Sequence, residues 1–159
     1  MGRQSDNHFK GWLDKPNSKF GGVQIGVITY SYRSMPHDID QLLQFCIDSN
    51  VSAIELMGDP AEEFAGKPKS PISMGPPPGG GRRPPLTDEQ RAQIAAYNKQ
   101  VAEWRATVSM DKFKEIRKKF NQAGVSIYAF KPRAFGPNNT DASRICMKAA
   151  KPWGLLRSL

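Results

Sequence analysis

The sequence is poor in the residues that most often build metal centres and covalent frameworks: its 159 residues hold two cysteines and two histidines. Cys46 and Cys146 are far apart, with no CxxC pair and no histidine cluster beside them, which argues against a disulfide framework and a structural zinc site. His8 lies in a polar lead and His37 beside Asp38 and Asp40, neither within an HExxH spacing, so loop solvation or capping is expected of both. Long apolar runs are also missing. No window approaches the roughly 18 apolar residues of a spanning helix. The opening MGRQSDNHFKGW has no apolar signal core, and Asp6 stands where myristoylation needs Ser or Thr. The expectation is a soluble chain with no membrane partner, cytoplasmic as it stands and exported if a signal precedes it.

Charge is present but uneven. Lys and Arg number 23 against 15 Asp and Glu, a formal net charge of +8, yet residues 24–65 carry one basic residue, Arg33, against seven acids. The excess sits in the loop KPKSPISMGPPPGGGRRPP and in MDKFKEIRKKF, where Lys112, Lys114, Lys118 and Lys119 fall mostly off the apolar stripe. A solvated helix face explains the latter, and without a recognised motif no nucleic-acid partner is expected.

The run Val23–Tyr30 is β-branched and nearly continuously apolar, the pattern of a strand buried on both faces. Asp38 with Gln41 has capping-box spacing before a helix carrying Ile39, Leu42, Leu43, Cys46 and Ile47 on one stripe, so Cys46 reads as core. Asn50 closes that helix, and Val51–Met57 forms a second strand ending at Gly58, which makes a βαβ unit with parallel strands. Residues 66–86 are 12 Gly or Pro out of 21 and exclude helix and central strand. The triple glycine Gly79-Gly80-Gly81 is flanked by prolines, so it reads as a flexible lid or spacer and not a phosphate loop. Thr87 with Gln90 opens a helix striped by Ile94, Tyr97, Val101, Trp104 and Val108. Ser109 and Asp111 open another with Met110, Phe113, Ile116 and Phe120, and Gly124 stands at its left-handed cap. Val125–Phe130 is the third strand. Asn138–Asp141 then caps a short helix that Pro152 ends at about Lys151. The pattern calls for an α/β fold, a parallel sheet with helices outside.

VQIGVITYSYRSM, DIDQLLQFCIDSN, VSAIELMG and MDKFKEIRKKFNQAGVSIYAFKP together resemble the sugar phosphate isomerase/epimerase family, xylose isomerase-like TIM barrels. The likeness spans roughly residues 20–142, with AIELMG and AGVSIYAFKP its most specific parts. It implies a partial (β/α)8 TIM barrel: a polar lead over 1–22, three β/α units over 23–151 with the flexible insertion 66–86 after the second strand, and an irregular end over 152–159. It implies metal-assisted proton transfer next to a sugar carbonyl, with a divalent metal (Mn, Mg, Zn or Co) in the full-length family and a sugar or sugar phosphate as partner. The family's two Glu, Asp and His ligands come from strands of the second half of the barrel, so none is carried onto a residue here. The expectation is a truncated chain, inactive alone, with no cofactor of its own.

In parallel α/β proteins the ligand mouth lies at the carboxyl ends of the strands, which nominates substrate-binding residues. Tyr30, Tyr32 and Arg33 follow the first strand, where a phenol and a guanidinium hold sugar hydroxyls or a phosphate; the alternative is that Tyr30 caps the layer and Arg33 pairs with a surface acid. Glu55 lies between Ile54 and Leu56 in the second strand, where an ionised carboxylate needs a partner: a substrate hydroxyl, or a salt bridge to Lys131 or Arg33. Lys131 ends the third strand and meets an anionic oxygen or, before Pro132, marks the loop entry. Two rival functions stand beside the enzyme. One is a non-catalytic βα scaffold needing a partner chain, self-associating through open sheet edges; the other is a basic binding module built on Arg82-Arg83.

Overall fold

The computed structural model of the chain describes residues 15–72 and 84–131. The expected helix near 138–151, the triple glycine, the end over 152–159, Cys146 and His8 lie outside the described residues.

The first described elements depart from expectation. Gly21 and Gly22 both take positive φ, +55° and +85°, the pair of left-handed residues a two-residue hairpin loop demands. They join β1 (Lys19–Phe20) to β2 (Val23–Gln24) in antiparallel register. The expected single strand from Val23 to Tyr30 is therefore split: Val23–Gln24 is held by β1, and only β3 (Val27–Ile28) enters the parallel sheet. Val23 is 63% and Ile25 49% exposed, which corrects the expectation of burial on both faces. Ser18 clamps the hairpin to the start of the next strand: its Oγ donates to the Ile25 carbonyl at 2.6 Å and accepts from the Ser52 backbone N–H at 2.9 Å.

After β3 the chain winds into a 3₁₀ turn, Thr29–Tyr32, and then into α1 (Ile39–Asp48), whose first turn Asp38 caps by accepting from the Gln41 N–H at 2.9 Å. Ile39, Leu42 and Cys46 are buried along one stripe. Asn50 turns the chain at φ +55° into β4 (Ala53–Met57). A short helix, α2 (Gly58–Phe64), follows directly and was not expected from Gly58-Asp59-Pro60. Proline is tolerated there because a first-turn N–H has no partner inside the helix. The Thr87–Gln90 capping box closes in both directions and opens α3 (Asp88–Thr107). Next comes α4 (Asp111–Gln122), then Gly124 at φ +83°, then β5 (Ser126–Lys131).

The strands β3, β4 and β5 lie side by side in sequence order, all parallel. Ile39, Leu42 and Cys46 of α1, Ala61 of α2, and Phe113, Ile116 and Phe120 of α4 form one core with Ile54, Leu56, Ile127 and Phe130 of the sheet. Each buried aromatic or aliphatic side chain contributes about 1.5–3 kcal/mol, so this cluster is the main source of stability. In parallel pairing, partners share a face. Ile54 with Ile127 and Leu56 with Phe130 face the helices, so Glu55 with Ala129 and Met57 with Lys131 face the other way. The molecule is a mixed α/β fold with four α-helices and two small sheets among the described residues, and these strands close no barrel.

Candidate functional site

Tyr30, Arg33 and Lys131 lie at the carboxyl ends of β3 and β5, and Glu55 lies in the middle of β4. Thr29 is buried where β3 ends, and its Oγ1 accepts from the Met57 N–H at 3.0 Å, tying the ends of β3 and β4 together. Tyr30 projects from the 3₁₀ turn with 55% of its surface exposed. The Arg33 guanidinium lies 4.8 Å from the centre of its ring and donates weakly to the Tyr30 carbonyl, 3.4 Å, a cation–π contact at an exposed site. Tyr32 behaves differently: its ring packs on Phe45 at 5.3 Å and it lies against the core. It anchors the turn to α1.

Glu55 is half-buried in β4, level with Ile28 on one side and Ala129 on the other. The salt bridges to Lys131 or Arg33 weighed from sequence are not among the ion pairs of the described residues. Lys131 closes β5, exposed, paired in register with Met57. Tyr30 and Arg33 therefore touch each other, Glu55 and Lys131 share the sheet face away from the helices, and no hydrogen bond joins the two pairs. His37 turns its Nδ1 to the Met35 carbonyl at 2.9 Å, a loop contact. Burial pushes the Cys46 thiol up to about 12, which makes it a core side chain and not a nucleophile.

The strongest electrostatic feature among the described residues was missed from sequence. Glu62 of α2 is fully buried and receives Arg105 of α3 through two hydrogen bonds, Nε to Oε1 at 3.1 Å and Nη2 to Oε2 at 2.9 Å. Lys67 adds its ammonium 3.2 Å from Glu62 Oε2 and donates to Asp59 Oδ1 at 2.7 Å. Burial lowers the Lys67 affinity for its proton, but the hydrogen bond to Asp59 and the charges of Asp59 and Glu62 outweigh it, so its pKa lies above 10.5. Arg105 on Glu62 fixes α3 to α2, and Lys67 ties the chain after α2 to both Glu62 and Asp59. Lys67 and Pro68, at the start of the expected flexible insertion, are thereby pinned, the Pro68 carbonyl also accepting from the Tyr97 hydroxyl at 3.2 Å.

No group of three His, Cys, Asp or Glu side chains among the described residues could hold a metal ion. Among the described residues, no set of side chains fits the divalent metal implied by the resemblance. No helix among the described residues is long and apolar enough to cross a membrane. Comparisons with family models, with curated proteins and with solved structures found no match for the chain.

Proposed function

We propose that the chain is the first part of a sugar phosphate isomerase/epimerase-like (β/α)8 barrel, with Glu55, Tyr30, Arg33 and Lys131 on its substrate side. The observation that carries this reading is the winding of the sheet. In a barrel wall, strands adjacent in sequence are adjacent in space and every helix lies outside, whereas a doubly wound sheet reverses its strand order and covers both faces. The order β3-β4-β5 with α1, α2 and α4 in one core agrees with the first pattern. Glu55 is then an interior carboxylate that accepts hydrogen bonds from sugar hydroxyls, while Arg33 and Lys131 offer donors to an anionic oxygen. Proton transfer next to the carbonyl belongs to the assembled barrel, not to these four residues.

The test is binding of ribose 5-phosphate and glucose 6-phosphate to the purified chain, followed by ligand-detected NMR. Binding that Glu55→Gln weakens at least about tenfold, a loss of about 1.4 kcal/mol, at an unchanged melting temperature supports the reading. No binding, or equal binding by the variant, overturns it. A second reading, a non-catalytic βα scaffold that needs a partner chain, is favoured by two observations: among the described residues, β3 is a two-residue strand at the sheet edge, and the sheet face bearing Glu55 packs no helix of the core.

A further inference from the structure

The face of the parallel sheet away from the helices carries Ile28, Glu55, Met57, Ala129 and Lys131 by register, with the buried Ala53 and its exposed partner Ser126 where β4 and β5 begin. The Tyr128 ring extends it across the backbone of Ala53 to Gly26: a Cβ built on Gly26 would lie 2.6 Å from Tyr128 Cε1 and 3.1 Å from the Ala53 oxygen. Ile25 and Val23, in the stretch before β3, are exposed as well. Within this strip stand one acid and one base, Glu55 and Lys131, neither in an ion pair with any described residue.

We infer that this face is covered by a second copy of the chain, related by a two-fold axis, with Glu55 of each copy paired to Lys131 of the other. The inference rests on the reading of this face as the inside of a barrel wall, and it names what occupies that face. The charges of this face complement themselves. An isologous interface requires a surface complementary to itself, residue i meeting j while j meets i, and an apolar strip with one charge of each sign meets that condition. An acidic partner, which the net +8 of the whole chain would attract, finds Glu55 in its way. A basic partner finds Lys131. Register sets Lys131 one strand over and two residues beyond the level of Glu55, about 8 Å away from strand spacing and rise, so the midpoint of the pair supplies the two-fold axis. The face is built on strands of two, five and six residues, and interfaces below the standard size of roughly 800 Å² per partner associate weakly, so a concentration-dependent dimer is expected. Repulsion between the two +8 copies is screened beyond about 8 Å at physiological salt.

The experiment is sedimentation equilibrium of the full chain from about 5 to 500 µM in physiological salt, a range set to bracket a weak interface. Wild type is expected to pass from monomer to dimer. Lys131→Glu and Glu55→Lys each weaken the dimer at least about tenfold, and the exchanged double variant recovers most of the loss, as coupled neighbours do. Should Glu55→Lys fail to fold, zero-length carbodiimide cross-linking of wild type decides. In a mixture of ¹⁵N-labelled and unlabelled chain, the Glu55–Lys131 cross-linked peptide must carry both isotopic compositions. A monomer throughout the range overturns the inference. So does a dimer indifferent to Lys131→Glu, or a cross-link found only within one copy. Ribose 5-phosphate separates this inference from the sugar reading. If both hold, the sugar drives the dimer apart, because it binds the same face. A dimer that passes the charge exchange but ignores the sugar supports this inference and removes the sugar reading. A monomer whose sugar binding depends on Glu55 does the reverse.

Discussion

Arg105 reaches across from α3 to hold the fully buried Glu62 of α2 with two parallel hydrogen bonds, 3.1 and 2.9 Å long. Only 10% of the Arg105 side chain meets solvent, so the pair is desolvated on both sides. Such a pair contributes less than its geometry suggests, because both ions leave water, but breaking it is costly because one charge is left buried and alone.

Glu62→Gln therefore destabilises the fold by about 3–5 kcal/mol, since it strands Arg105 and half of the bonding of Lys67. Glu62→Leu combined with Arg105→Met costs clearly less than the sum of the two single changes, because no lone charge remains. Urea unfolding of the four proteins measures this directly. Additive single and double effects would show that Arg105 and Glu62 are not coupled.

Why this cluster escaped the sequence while the helices did not follows from the range of the interactions. Asp38 over Gln41, Thr87 over Gln90 and Gly124 after α4 each satisfy orphan backbone groups within a few residues, so residue type and spacing announce them. Phe113, Ile116 and Phe120 repeat at the helical period and are all buried. Glu62 and Arg105 are 43 residues apart, and nothing periodic links them. The split of the first strand had a local sign, Gly21-Gly22, but the apolar run after it suits a buried strand equally well, and only pairing with Lys19–Phe20 decides between the two. Among the site residues, the position of Glu55 in its strand was legible from Ile54 and Leu56 on either side. The fact that Lys131 shares its sheet face was not, because the register of β5 shifts by one residue between Ile54 and Glu55, and such a shift turns side chains to the opposite face.

Lys67 makes stability depend on alkaline pH. Its folded pKa is raised above 10.5 by Asp59 and Glu62 against the opposing effect of burial, so its contribution is fully present below its unfolded value and is lost as pH rises through the folded value. The gap in urea midpoint between wild type and Lys67→Gln is expected to be constant from pH 7 to about 10 and to shrink above about 10.5. A gap of the same size at pH 9 and pH 11.5 would rule the ionic contribution out.

Acid acts elsewhere. Hydrogen bonds from Lys114 and from Ser109, with the Lys114 charge, hold the Asp111 carboxyl below its ordinary 3.8. Its contribution to the first turn of α4 is present above that value and disappears as pH falls through the lower folded value. Asp111→Asn should lower the thermal midpoint at pH 6 and leave it unchanged near pH 2. An equal effect at both would assign the loss to geometry instead of charge.

Cys46 is expected to ignore thiol reagents in the native chain. Its pKa of about 12 leaves almost no thiolate at pH 8, and the side chain is fully buried in α1. Peptide mapping after alkylation should recover Cys46 unmodified without denaturant and modified in urea, at a rate that follows unfolding. Rapid native labelling would mean that α1 opens locally from the sheet.

The Tyr128 ring crosses the sheet face close to Gly26. Gly26 has no positive φ to defend, so its lack of a side chain is a matter of space: an added Cβ would meet Tyr128 Cε1 at 2.6 Å and the Ala53 oxygen at 3.1 Å. The Tyr128 ring is half exposed and can swing away, whereas the Ala53 backbone belongs to the central strand and cannot. Gly26→Ala is therefore expected to cost about 1–3 kcal/mol, the range for inserting a methyl group into a packed position. If the ring is the main obstacle, Tyr128→Ala in the same chain recovers most of that loss, since neighbours in contact do not add. If the strand oxygen is the obstacle, the double variant is no better than the sum of the single ones, and chemical shifts of the Ala53 and Ile54 amides move in Gly26→Ala whether or not the ring is present.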